Sequence, residues 1–265
     1  MGPVVIKLGG GKGIDSGPLL RELSGMKDWV LVHGGSDEMN KLSEKLGHPP
    51  RFVESVSGFT SRVTDRATVD IISMAAAGKL NVGLVAGLQA LGVNAVGLCG
   101  VDGRLLEGAR KEAIKIVENG KRKVLRDDFT GTVEKVNAGL LRLLLDNGYF
   151  PVVTIPIISP AGEPLNTDGD RAAAAVAGAL KAEALVILSN VPGLLENPDD
   201  PSTLVRSIPR AEIDRAAKFA KDRMKKKMLG AKEALELGAG KVAFGSADVP
   251  SPVASALSGA GTLIS

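Results

Sequence analysis

The sequence predicts an α/β protein, a three-layer α/β/α sandwich around a mainly parallel central sheet. Three observations carry this reading. Hydrophobic residues make up 44% of the chain but aromatics only 3%, so the interior is built from Val, Ile, Leu and Ala. Those are the residues of strands buried on both faces. Short apolar runs alternate with stretches of helical periodicity, the order that gives parallel strands joined by crossover helices. Glycine-rich or polar turns follow several of the runs, and such sheets bind ligands at the carboxyl ends of their strands.

Element by element, Val4–Leu8 (VVIKL) reads as a buried strand, followed by a glycine turn and a short helix near 18–24. Residues 29–35 (WVLVHGG) give a strand ending in glycines, with a helix over 36–46. Residues 51–61 alternate as a hairpin, helices cover about 64–78 and 80–91, and 94–100 is a strand. Residues 113–126 read as a second hairpin around Asn119-Gly120, a pair suited to the positive φ of a tight turn. A helix over 137–147 stops at Gly148, and 150–158 is a strand. The helix over 169–181 is alanine-rich, which permits close packing against a sheet or ligand. Residues 184–189 form a strand, then a loop carrying Pro192, Pro198 and Pro201, then helices over 209–217 and about 222–238. Strands over 241–246 and 261–265 close the sheet.

The 265 residues suffice for one large domain or two lobes. Cys99 is the single cysteine, which excludes an intrachain disulfide and points to a reducing, cytoplasmic setting. No apolar run reads as long enough for a membrane helix, and the chain enters its first strand with no signal peptide. A net charge of +3, with one Trp and one Tyr, argues against nucleic-acid binding. The positive charge is clustered, however. Residues 110–126 carry seven Lys/Arg against two Glu, and 214–232 carry eight against two Asp. A charge run is ordinarily a solvated face, but two in a nearly neutral chain point to anionic partners.

The residues that carry chemistry sit at strand ends. Lys7, followed by Gly9, Gly10 and Gly11, puts a cation on an apolar strand next to a loop whose N–H groups can approach an anion. There is no Walker or Rossmann fingerprint. His33-Gly34-Gly35-Ser36 is a second glycine pair opening a helix, with Ser36 as the expected cap. Arg62, between a hairpin and a helix, can grip a carboxylate in two-pronged fashion, and Asp65 can cap that helix. Asn166, Asp168 and Asp170 alternate before the alanine-rich helix, more polar groups than a cap needs. They can hold a cation or orient lysines. Residues 188–195 (LSNVPGLL) form a polar turn that can cradle an adenine or ribose. Lys227 closes a basic run, RMKKK. With two histidines in the chain, no metal centre is assigned.

In this order, IKLGG, VHGGS, SGFTSR, LNTDGDRAA, LSNVPGLL and RMKKK resemble the amino acid kinase family, whose fold is carbamate kinase-like. The likeness spans essentially the whole chain. The sequence is similar to acetylglutamate kinases, and to a paralogous branch acting on aminoadipate or glutamate joined to an acidic amino-group carrier protein. That branch serves lysine and, in some archaea, arginine biosynthesis.

The resemblance implies a single domain over 1–265, with an acceptor lobe (1–165) and a nucleotide lobe (166–265). It implies ATP as donor, magnesium held mainly by the phosphates, and a homodimer. Lys7 and Lys227 match the lysines that stabilise the transferring phosphoryl group, and Asp170 the aspartate that orients them. Gly34, Gly35, Arg62 and Asn166 match acceptor-binding positions. Gly9, Gly10, Ser189, Asn190, Val191, Gly193, Leu194 and Met224 match nucleotide-binding positions. Two departures stand out. Asp168 adds a carboxylate where acetylglutamate kinases commonly have asparagine. Asp222-Arg223-Met224-Lys225-Lys226-Lys227 replaces a Gly-Gly-Met loop, which leaves Lys225 and Lys226 as alternatives to Lys227. The GFTSR form and the basic hairpin side with the carrier branch, and Lys121, Arg122 and Lys123 are the expected docking residues. Acetylglutamate kinase activity on the free acetylated amino acid is the alternative.

Overall fold

The computed structural model describes residues 2–56, 58–118 and 120–265, leaving aside the side chain of Asp222. In chain order the strands are β1 (Val4–Leu8), β2 (Trp29–His33), β3 (Phe52–Ser55), β4 (Thr60–Arg62), β5 (Ala95–Cys99), β6 (Leu106–Glu107), β7 (Ile114–Glu118) and β8 (Lys121–Leu125). They continue with β9 (Lys135–Val136), β10 (Phe150–Thr154), β11 (Ile157–Ile158), β12 (Pro164–Leu165), β13 (Ala184–Ser189), β14 (Ser207–Ile208), β15 (Lys241–Ser246) and β16 (Thr262–Ile264).

An eight-stranded sheet, ordered β14-β16-β15-β13-β1-β2-β10-β5, forms the middle layer. Every pairing in it is parallel except β15 with β16. β1 lies between β13 and β2, so the two halves of the chain share one sheet, with Lys7 opposite Ile187 and Val32. Strand side chains alternate between faces. Val5 packs with the alanine-rich helix α6 (Gly169–Leu180) and with α8 (Asp222–Glu236), whereas Ile6 and Leu8 pack toward α1 (Gly17–Ser24) and α9 (Pro252–Leu257). Lys7 therefore faces the α6/α8 layer. Small residues let α6 and α8 come close. A Cβ on Gly230 would lie 3.1 Å from the Asp170 carbonyl oxygen.

Two smaller four-stranded sheets flank this core, β12-β11-β6-β9 and β4-β3-β7-β8. The second joins both predicted hairpins into one sheet. The Asn119 half of the predicted turn lies outside the described residues, while Gly120 has φ 72°. Asp65 caps α3 (Arg66–Ile72) by accepting the Thr68 N–H at 2.8 Å, as the sequence suggested.

Three expectations need correction. The predicted strand over 150–158 breaks at the cis Ile155–Pro156 bond into β10 and β11, which belong to different sheets. The two helices expected over 64–91 are one. α3 runs through a π-helical stretch, Ser73–Asn81, into α4 (Val82–Ala90). This 25-residue helix, Arg66–Ala90, is long and apolar enough to cross a membrane by length and composition, although Arg66, Asp70 and Lys79 interrupt its apolar residues. Its inner side packs against β5 and β10. Finally, Ser36 does not cap α2 (Ser36–Lys45). Gly35 occupies the cap position, and the Ser36 hydroxyl donates instead to the Gly10 carbonyl at 2.8 Å.

Candidate active site

β1 and β2 end side by side, and the two glycine loops that follow touch. The Gly9 N–H donates to the Leu188 carbonyl at 2.9 Å and the Gly34 N–H to the Leu8 carbonyl at 3.3 Å. Beyond these, the N–H groups of Gly10, Gly11 and Gly35 have no hydrogen-bond partner among the described residues. A Cβ on Gly10 would sit 2.3 Å from the Gly35 nitrogen, so glycine is required for the contact. Unpaired N–H groups at a strand-to-helix turn suit an anion.

Lys7, Asp170 and Lys227 meet beside these loops. Asp170 lies in the first turn of α6, with Lys7 Nζ 2.8 Å from its Oδ1 and Lys227 Nζ 3.4 Å from its Oδ2. The Lys7 approach makes no hydrogen bond in line, so that contact is chiefly an ion pair. All three side chains are buried. Burial works against the Asp170 charge, but the two ammonium groups outweigh it and hold the carboxyl well below its usual range. Burial pushes the Lys227 ammonium down, with repulsion from Lys7 adding and attraction to Asp170 opposing. Two cations on one carboxylate leave an excess of positive charge facing the glycine loops.

The neighbouring lysines are accounted for. Lys226 lies 3.5 Å from Asp168 Oδ2, and Lys225 is exposed. Of the three consecutive lysines, Lys227 is the one at Asp170. Asp168 Oδ1 caps α6 by accepting the N–H groups of Asp170 (3.0 Å) and Arg171 (3.2 Å). Arg171, which sequence reasoning missed, forks onto Glu233 of α8 at 2.7–3.0 Å and ties the two helices that carry Asp170 and Lys227. The only signal for it was its place inside DGDRAA.

Arg62, expected at the acceptor, bonds Asn40 Oδ1 through Nη2, and its guanidinium lies 4.9 Å from the Phe52 ring centroid. Its Nη1 is buried with no partner among the described residues, and burial lowers the Arg62 pKa. Asn40 was not legible in the sequence, since it is one polar residue among many on α2. Asn166 Nδ2 donates to Thr64 Oγ1 at 3.1 Å, and Thr64 Oγ1 donates to the Arg62 carbonyl at 3.2 Å. Arg62 and Asn166 thus share one wall.

The candidate nucleotide residues divide. Ser189 ends β13 beside Gly9, Asn190 is exposed and Val191 half-buried. Gly193 packs on Thr262, where a Cβ would come 2.3 Å from the hydroxyl oxygen. Leu194 is buried in the core, its N–H donating to Thr262 Oγ1 at 2.9 Å, so its side chain shapes the loop from beneath. Met224 packs half-buried against the same core.

The basic hairpin divides too. Lys123 pairs at 2.6 Å with Glu118, which also holds Arg51 at 2.6 Å. Lys121 and Arg122 have no carboxylate partner among the described residues. Register places Arg122 opposite Val117, Val117 opposite Glu54, and Phe52 opposite Arg62. Directly paired residues share a face. Arg122 therefore shares the Phe52/Arg62 face, and Lys121 and Lys123 the other.

Residues 2–246 match the amino acid kinase family. The chain is 54% identical to the [LysW]-aminoadipate kinase of Deinococcus radiodurans over 99% of its length and 91% of that protein. It is 50% identical to the [LysW]-aminoadipate kinase of Thermus thermophilus, over 98% of this chain and 99% of that one. It is 40% identical to the acetylglutamate kinase of Methanopyrus kandleri, over 80% and 82%. Carbamate kinase from Giardia lamblia superposes with a TM-score of 0.67 at 17% identity over 99% and 98% of the chains, a likeness of fold. The chain belongs to the amino acid kinase family.

Proposed function

We propose that this amino acid kinase transfers the γ-phosphoryl group of ATP to the side-chain carboxylate of aminoadipate, or glutamate, held on an acidic amino-group carrier protein. The products are an acyl phosphate and ADP. The observation that supports the chemistry best is the buried Lys7–Asp170–Lys227 group beside unpaired glycine N–H groups. The support for a carrier-linked acceptor is the naming of the relatives at 50–54% identity, against 40% for the acetylglutamate kinase.

A carboxylate acceptor is already ionised at neutral pH, so the reaction needs no general base. Its obstacle is the approach of two anions. Lys7 and Lys227 neutralise the transferring group, and the N–H groups of Gly10 and Gly35 aim at the charge that develops on its oxygens. Asp170 pairs with both lysines and holds them in place. Arg62, with its free Nη1, grips the α-carboxylate of the acceptor, and Asn166 completes that wall. Gly9 and the 189–193 turn border the donor nucleotide. The oxygens of Asp170 and Asp168 are engaged by lysines and helix N–H groups, so a magnesium ion would be held mainly by the nucleotide phosphates, where it would offset their negative charge.

The carrier docks on the face bearing Arg122, Phe52 and Arg62, which leads directly to the acceptor wall. A homodimer forms through the outer side of the helix Arg66–Ala90, where Met74 and Val82 are 49% and 63% exposed. The chain works in the cytoplasm, in keeping with its one free cysteine.

The test is a side-by-side assay with ATP and hydroxylamine, which traps acyl phosphates. Carrier-linked aminoadipate and glutamate, and free N-acetylglutamate, serve as acceptors. Hydroxamate from a carrier-linked acceptor at far higher kcat/KM supports the reading. Preference for N-acetylglutamate, or no hydroxamate at all, rejects it.

A further inference from the structure

The long helix Arg66–Ala90 buries the amide side chain of Asn81, which is 5% exposed. Burying an amide is costly unless its hydrogen bonds are met. Asn81 Nδ2 donates to the Val152 carbonyl at 2.8 Å and approaches His33 Nε2 at 3.0 Å. A backbone carbonyl only accepts, so the nitrogen of the Asn81 amide must face it. With both amide protons given away, His33 Nε2 is the acceptor and the imidazole proton sits on Nδ1. Nδ1 lies 2.8 Å from the Gly34 carbonyl oxygen and donates to it. Burial holds the imidazole neutral, its pKa lowered to about 4, with the Lys7 charge adding and the Gly34 bond opposing. Thr154 Oγ1 donates to the His33 carbonyl at 3.1 Å and fixes the strand end.

The geometry of a trans peptide converts this into a statement about the site. The Gly34 C=O and the Gly35 N–H belong to one planar unit and point in opposite directions. Turning the carbonyl toward His33 turns the Gly35 N–H away from it; the Gly35 nitrogen lies against Gly10 and its N–H has no partner among the described residues. The preceding helix residue supports the same loop. A Cβ on Gly35 would fall 2.5 Å from Leu80 Cδ1. Asn81 reaches His33 from the last residue of the π-helical stretch Ser73–Asn81, and such stretches are frequent at functional sites. Gly97 of β5 makes the room, since a Cβ there would lie 2.0 Å from Asn81 Oδ1.

We infer that Asn81 is a positioning residue: acting through His33, it fixes the Gly34 carbonyl and so aims the Gly35 N–H at the phosphoryl group passing to the acceptor. The inference deepens the phosphoryl-transfer reading and rests on it for the identity of the anion. The imidazole tautomer stands without it.

The experiment has two arms. In wild-type protein with 15N-labelled histidine, NMR should find His33 protonated on Nδ1 and bare on Nε2. A proton on Nε2 would overturn the inference. In the kinetic arm, Asn81→Leu should lower kcat/KM for the acceptor about tenfold or more, the scale of an unmet buried hydrogen bond, with the KM for ATP unchanged. A folded Asn81→Leu with wild-type acceptor kinetics would overturn it. Should that variant not fold, His33→Asn against His33→Leu decides. The asparagine amide replaces the Nδ1 donor, so it should retain several-fold more activity, and equal activities would overturn the inference. Wild-type inactivity on every acceptor would instead reject the proposed reaction.

Discussion

Lys7 and Lys227, near opposite ends of the chain, take separate oxygens of one buried carboxylate, at 2.8 and 3.4 Å. The sheet and helices enforce the meeting. β1 lies between β13 and β2, α6 starts at Gly169 behind its Asp168 cap, and Gly230 lets α8 approach closely enough for Lys227 to arrive. Buried like charges this close are unfavourable without an anion between them. Asp170 meets part of that demand, and in the proposed reaction an arriving phosphate meets the rest.

Removing either cation should therefore hurt the chemical step more than binding. Lys7→Ala and Lys227→Ala should each lower kcat by ~10²–10³-fold, with modest changes in KM for either substrate. Steady-state kinetics on folded variants checks this, and an unchanged kcat for either would remove that lysine from the mechanism.

The pH–rate profile should carry the signature of Lys227. Its ammonium is held below the ordinary lysine value, first by burial and then by Lys7. Losing the proton loses the positive charge, so kcat/KM of the free enzyme should fall as pH rises, sooner than for an exposed lysine. Lys227→Arg, ionised throughout, should slow the enzyme and abolish that alkaline limb. A limb that survives at the same pH in Lys227→Arg belongs to another group.

The contact between the glycine loops predicts a functional defect from one methyl group. Gly10→Ala would put Cβ 2.3 Å from the Gly35 nitrogen, so the loops must separate. Overpacking of this kind costs about 1–3 kcal/mol of stability. Displacing both sets of N–H donors should cost activity well beyond that. Thermal denaturation beside hydroxamate assays separates the effects, and near-normal turnover would show that the loops need not touch.

Charge reversals should sort the basic hairpin by strand face. Arg122→Glu, on the face with Phe52 and Arg62, should raise the carrier KM and weaken its salt dependence. Lys123→Glu, on the opposite face and already paired with Glu118, should matter less. Equal effects would place the carrier elsewhere.

Much of this was legible in the sequence, and the misses share a cause. VVIKL, VHGGS and TDGDRAA announced buried strands and polar helix starts, so the central sheet could be read locally, whereas the joint role of Lys7 and Asp170 was implied by the resemblance to the amino acid kinase family. Lys227 was left open among three lysines because helix phase decides which one faces inward, and phase depends on packing. Asn40, Arg171 and Asn81 act through partners distant in sequence, Arg62, Glu233 and His33, and nothing nearby marks them. The broken strand at Ile155–Pro156 and the fused helix 66–90 were misread because apolar patterns do not show where a sheet is left or where a π-turn shifts the helical phase.

The most direct measurement is a structure with ADP, the acceptor, and a planar fluoride mimic of the phosphoryl group in flight. The account predicts both Nζ atoms, of Lys7 and Lys227, within hydrogen-bond distance of that one mimic, with Asp170 bridging behind them. A mimic held by only one of the two ammonium groups, or by neither, would contradict it.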